Sequence, residues 1–153
     1  MDHVAIMRKE WGMIPKILSG EKNIESRWYV SRTAPWGRIW PGDAVYFKNS
    51  GEPVTARAFV SKVLSFSGLT DFKVRRILEC YGRDDGIADE DKKKFSDLFR
   101  NKKYCLLVFL ERPEEVVPFD INKAGFGVMC AWMIANDIEK IKLPVFPPRQ
   151  IRN

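Results

Sequence analysis

Residues 20–27 read Gly20-Glu21-Lys22-Asn23-Ile24-Glu25-Ser26-Arg27. Just before this octad, Ile14, Ile17 and Leu18 fall at i, i+3 and i+4, the pattern of a one-faced helix. Pro15 fits the first turn of that helix, and Gly20 stands where a left-handed C-terminal cap belongs. The chain after it, residues 24–30, holds Trp28, Tyr29 and Val30 and is expected to be a strand. Side chains alternate along a strand, so Glu25 and Arg27 share one face and Ile24 and Ser26 the other. Glu25 is then close enough to orient the Arg27 guanidinium, while Lys22, in the preceding turn, is expected to swing over the same cleft. Arginine offers a planar fork that suits phosphate, and lysine a mobile point charge. A neighbouring cation and partial burial would also press Lys22 towards use as a base.

Outward from the octad, residues 3–8 are a first strand, and residues 33–42, rich in Pro and Gly, are a loop. Residues 43–48 and 54–64 read as strands joined by a turn at 49–53, hence a hairpin. Val74, Ile77, Leu78 and Tyr81 form a helical stripe, and a further helix is expected over 89–102. That helix carries acids at its start and bases at its end, as the helix dipole favours. Phe95, Leu98 and Phe99 are its expected inward residues. Residues 104–110 are seven apolar residues in succession, typical of a strand buried on both faces. Residues 111–115 read as a turn and 116–121 as another strand. The apolar stretch 126–134 reads as strand or helix, with strand favoured at its start. The tail with Pro144, Pro147 and Pro148 is expected to pack as irregular chain. The sum is one domain over residues 1–153. Its class is α+β: a small mixed β-barrel, closed or half-closed, with a short helix after the first strand and two helices inserted at 71–102.

Composition narrows the function classes. The 153 residues carry 26 Lys plus Arg against 20 Asp plus Glu, a formal charge of +6. That excess suits a polyanionic partner. Three widely spaced cysteines and one histidine leave almost no zinc ligands, so no metal is expected. No cofactor motif is present, and none is expected. The N-terminus lacks a signal-peptide layout, and no apolar run approaches the roughly 20 residues of a membrane span. A cytoplasmic protein without membrane association is the expectation, with its thiols free.

Gly20, Lys22, Glu25 and Arg27 match G-x-K-x-x-E-x-R, and here the chain resembles the ASCH domains, a branch of the PUA-like superfamily. The preceding apolar helix, the strand through Glu25 and Arg27, and the Gly42-Asp43 pair opening the next strand agree with that resemblance. It implies a PUA-like barrel and a cleft beside the motif that binds RNA, nucleotides or nucleosides. It also implies a possible enzymatic alternative, since one bacterial branch consists of amidohydrolases that remove acyl groups from modified cytidine. Those enzymes pair the motif lysine with a threonine nucleophile. Glu25 stands here in the threonine's place, so an acyl intermediate of that kind is not available at this position.

Beside the motif, Trp36 in its Pro-Trp-Gly loop is a candidate stacking platform, and Arg32 is a candidate phosphate contact. Trp28, on the Ile24 face, is expected to be buried, and Trp11 and Trp132 to serve packing. Lys48 and Ser50, at the hairpin end, are expected to line the same cleft. The expected ligand set is therefore Gly20, Lys22, Glu25, Arg27, Arg32, Trp36, Lys48 and Ser50. If the protein is an enzyme, whether amidohydrolase or ribonuclease on single-stranded RNA, the catalytic candidates are Lys22 and Glu25, with Tyr29 or Tyr46 in support. An interaction adaptor would instead show a contiguous exposed apolar patch.

Overall fold

The computed structural model describes residues 1–127 and 129–144. Pro147 and Pro148 of the expected irregular tail lie outside them. The strands are β1 (Asp2–Met7), β2 (Ile24–Tyr29), β3 (Ala44–Asn49), β4 (Val54–Phe66), β5 (Tyr104–Phe119) and β6 (Trp132–Asn136). The helices are α1 (Met13–Ser19), α2 (Asp71–Tyr81) and α3 (Lys92–Phe99), with α2 and α3 between β4 and β5. One six-stranded sheet runs β2-β5-β4-β3-β1-β6. The β1–β3 pair is parallel, and the other pairs are antiparallel.

The sheet curls far enough for its ends to meet through a side chain. Arg27 on edge strand β2 donates to the carbonyls of Ala131 at 3.2 Å and Ile6 at 3.4 Å. The result is a mixed half-barrel of α+β class. Apolar residues occupy both faces of β5: Leu106, Val108 and Leu110 face α1 and the inside of the curl, while Cys105 and Leu107 face α2 and α3. That two-sided burial is why residues 104–110 show no alternation. A third apolar cluster, with Val4, Tyr46 and Met133, lies under the chain that follows β5. Among the described residues no helix is long and apolar enough to cross a membrane.

Three expectations give way here. Residues 111–115 are not a turn, and 116–121 is not a separate strand, because β5 runs unbroken from Tyr104 to Phe119. Phe59 faces Glu111 and Arg57 faces Glu114, so β5 carries one extra residue there, with Arg112 at φ 51°. The charged run imitates a turn in sequence, but a bulge absorbs the odd residue and Arg57 pairs with Glu114 across the strands. The stretch 126–134 becomes strand only from Trp132, near its end rather than at its start. Leu98 is exposed rather than inward, since the short α3 turns Phe95 and Phe99 to the core.

One buried polar link ties β6 and β1 to Asp43, the residue before β3. The Trp132 indole N–H donates to His3 Nδ1 at 3.0 Å, and His3 Nε2 lies 2.9 Å from Asp43 Oδ2. An indole only donates, so Nδ1 is bare and Nε2–H donates to Asp43. Burial pulls His3 below its ordinary value of 6.5. Burial works in the opposite direction on Asp43, but bonds from His3, the Trp40 N–H and the N-terminal amine outweigh it and hold its carboxyl below the usual range. As pH falls below 6.5 the unfolded chain takes up a proton that folded His3 resists, so stability drops. Asp43 keeps its contribution until the carboxylate range. We expect urea unfolding to show a loss of about 1 kcal/mol between pH near 7.5 and pH near 5.5, largely absent in His3→Gln. A wild-type stability unchanged over that interval would contradict the buried neutral imidazole.

Candidate functional site

The octad's backbone is set by glycine and by a distant turn. Gly20 caps α1 at φ 84°, and the Lys22 N–H returns to the Lys16 carbonyl at 2.9 Å. The start of β2 is then held from outside: the N–H groups of Asn23 and Ile24 both donate to the Asp84 carbonyl, at 2.8 and 2.9 Å. This brings the turn after α2 against the octad and delivers Asp85 beneath it. Gly86 completes the fit. At φ 80° a side chain is disfavoured, and a Cβ would approach Lys22 and Met13 at 3.2 Å.

Lys22 is buried, with 2% exposure, and its ammonium donates three hydrogen bonds. They go to the Ile24 carbonyl at 2.6 Å, the Asp85 carbonyl at 2.7 Å and Asp85 Oδ1 at 2.6 Å. Lys22 therefore does not swing over the cleft; the partner that pins it stands 63 residues away. Asp85 Oδ2 accepts from Ser26 Oγ at 2.5 Å, and Ser26 Oγ accepts from the Trp28 indole at 3.0 Å. Burial pushes the Asp85 carboxyl above its ordinary range, with the Glu25 charge adding, while Lys22 and Ser26 pull it back.

Glu25 Oε1 lies 3.8 Å from Lys22 Nζ, and Glu25 Oε2 lies 4.0 Å from Arg27 Nη2. The three head groups converge in that order. Both Arg27 Nη atoms are committed to Ala131 and Ile6, and the guanidinium lies 5.1 Å from the Trp132 ring centroid. Among the described residues three buried side-chain polar atoms lack a hydrogen-bond partner, and two of them lie here: Glu25 Oε2, an acceptor, and Arg27 Nε, a donor. Both residues line a cleft of about 320 Å³.

The cleft wraps the free edge of β2, so both faces of the strand contribute. Ser26 and Trp28 line it together with Glu25 and Arg27. Its far wall is α3. Trp28 is half-buried rather than buried and stacks on Phe99 at 4.4 Å and 7°, while Trp11 meets Phe95 edge-on at 5.4 Å. Exposed Leu98 and half-buried Lys102 also line this hollow.

The other expected residues lie elsewhere. Gly20 is an exposed cap. Trp36 packs edge-on against Tyr29 and Tyr104, at 6.4 and 5.4 Å, and Arg32 lies over the Tyr104 ring; both belong to the loop beyond the far end of β2. Lys48 is buried near the end of β3, and Ser50 lines a separate hollow. Asp85, Ser26, Trp11 and α3's Phe95 and Phe99 were not foreseen. The one sequence signal for Asp85 was an acidic pair between Gly82 and Gly86. Among the described residues no cluster of metal-ligating groups occurs.

Removing one member of a buried ion pair leaves the other uncompensated. Asp85→Ala or Lys22→Met is therefore expected to cost about 3–5 kcal/mol in urea unfolding. The double variant Lys22→Met/Asp85→Leu should recover most of it. Additive losses would show that the two side chains stabilise the fold independently.

Neither a protein-family model nor a curated protein sequence matches the chain. Solved structures do. The ASCH protein of Zymomonas mobilis aligns at 15% identity and TM-score 0.60, covering 86% of this chain and 85% of that one. A mutant of the same bacterial protein aligns at 15% identity and TM-score 0.64, covering 91% and 93%. At that identity the likeness is one of architecture alone. The chain has the fold of these ASCH structures.

Proposed function

We propose that the protein is a binding module that takes a nucleotide unit, free or within RNA, into the cleft beside Glu25 and Arg27. The observation that carries this is the unspent pair, Glu25 Oε2 and Arg27 Nε. Buried polar atoms normally find partners, and one left alone costs about 1–3 kcal/mol. A ligand edge that offers a donor beside an acceptor, as the polar rim of a nucleobase does, would satisfy both atoms once a small shift of the two side chains uncovers them. The aromatic side chains of Trp11, Trp28, Phe95 and Phe99 suit the apolar faces of the same group. The net positive charge suits its phosphate. Three unbridged cysteines, Cys80 exposed among them, fit the cytoplasmic location we assign to it.

Binding is favoured over hydrolysis of modified nucleosides or of RNA. A base must give up a lone pair, and all three Lys22 N–H groups are donated to oxygen. Burial holds the Tyr29 hydroxyl far above its ordinary range, and Tyr46 lies on the other side of the sheet against Phe119. Purified protein given acetylated cytidine or labelled single-stranded RNA should accordingly yield no product; turnover abolished by Glu25→Gln would reverse this reading.

Binding itself is tested with nucleoside monophosphates and single-stranded RNA. Glu25→Gln and Arg27→Ala should each weaken binding about tenfold or more, the usual worth of a charge-assisted hydrogen bond. RNA affinity should fall steeply with salt. Failure of the wild type to bind any RNA, DNA or nucleoside would remove the proposal.

A further inference from the structure

A second hollow of about 490 Å³ adjoins the cleft. The two share Ile6, Met7, Arg8 and Ala131, so they meet across the end of β1 and the residue that precedes β6. Arg27 is fastened at this junction, through its bonds to Ile6 and Ala131. The two hollows differ in chemistry. Glu25 and Asp85 line the first beside the aromatic wall. Among the described residues no carboxylate lines the second; its polar members are Arg8, Ser50 and Lys123. Ser50 and Lys123 are exposed, as is Arg8, which leans over the Trp11 ring at 4.9 Å and thereby links the basic hollow to the aromatic wall.

Positive charge is concentrated here in spite of its own repulsion. Burial, and next the charge of Lys123, draws the Lys48 ammonium below its ordinary range. Asp120 and Glu52 oppose that effect, but Glu52 is itself held by Lys9 at 3.2 Å. Like charges gathered at the rim of a hollow with no lining acid suit an anion that arrives from outside.

We infer that the two hollows form one track for single-stranded RNA, in which the cleft takes a base and the Arg8–Ser50–Lys123 hollow takes the phosphates of the neighbouring nucleotides. The inference rests on the nucleotide-binding reading above and makes it narrower. A free nucleoside would occupy the first hollow and leave the second empty; a strand uses both. Arg27 at the junction positions the base, and Arg8 and Lys123 carry the backbone. Phosphate contacts of this kind set register and affinity without reading sequence.

The test compares a mixture of nucleoside monophosphates with fluorescein-labelled, mixed-sequence oligoribonucleotides of about eight nucleotides, a length within the usual range for single-strand sites. The oligomer should bind at least about tenfold tighter, since linked contacts reinforce one another. Lys123→Ala, an exposed substitution, should weaken the oligomer about fivefold and flatten its salt dependence by about 0.7 in the log–log slope. It should leave the monophosphates unaffected, whereas Arg27→Ala should weaken both probes. Equal affinity for oligomer and monophosphates, or an oligomer indifferent to Lys123→Ala, would overturn the track while the nucleotide pocket stands. A deoxyribonucleotide oligomer bound as tightly would overturn the assignment to RNA. No binding of either probe to the wild type would remove the pocket and the track together.

Discussion

The architecture around the cleft depends on one buried ion pair. Stripping water from an ammonium and a carboxylate costs several kcal/mol each, so such a pair persists only where geometry and further hydrogen bonds repay it. Lys22 and Asp85 meet that condition, because every Lys22 N–H and both Asp85 carboxylate oxygens have partners. The pair also decides where the inserted helices go. Asp85 belongs to the turn between α2 and α3, and Lys22 to the turn before β2. Locking the two together sets α3 over the free edge of β2. Phe95 and Phe99 pack there with Ile24, Leu107 and the α2 stripe, and they form part of the cleft wall.

Edge strands are hazards because their unpaired backbone invites foreign strands. Here the exposed edge of β2 is not closed by pairing with β1, which would complete a barrel. It is covered by α3 on one side and approached by the other end of the sheet on the other. The incomplete closure leaves a hollow where a sealed barrel would have had ladder bonds. Arg27 bridges the gap with side-chain bonds in their place, so the opening is held at a defined width. The helical insertion and the half-closed sheet thus make the cleft jointly.

Where the sequence was legible, local rules and tertiary demands agreed. The α1 stripe ends at a glycine that does adopt φ 84°, and the uninterrupted apolar run of β5 is buried on two faces. The convergence of Glu25 and Arg27 followed from strand alternation alone. What escaped depends on contacts between distant residues. Lys22 reads as a mobile turn lysine because nothing near it in sequence names Asp85. The run Glu111–Arg112–Pro113–Glu114–Glu115 has the composition of a turn, yet pairing with β4 holds it extended through a bulge. Trp36 looks like a displayed aromatic in a Pro-Gly loop, but the loop folds back and sets it against Tyr29 and Tyr104. Lys48 and Ser50 were grouped with the octad by polarity, whereas their strand end opens on the neighbouring hollow. In each case the residue type was read correctly and its position was decided by packing.

Glu25 is a carboxylate set between two cations, and that setting has a physical consequence for the cleft. A hydroxyl there would be a reactive group awaiting a base. A carboxylate set 3.8 Å from an ammonium and 4.0 Å from a guanidinium is instead an acceptor held in place by charge. Its neighbour is held too, since each Arg27 Nη donates to a backbone carbonyl while Nε has no partner. A donor and an acceptor immobilised in this way lose little freedom when a ligand arrives, which favours affinity over adaptability. Lys22 is held as firmly, since each of its N–H groups is already donated to an oxygen. Glu25 and Arg27 thus set a fixed acceptor beside a fixed donor in the wall of the cleft.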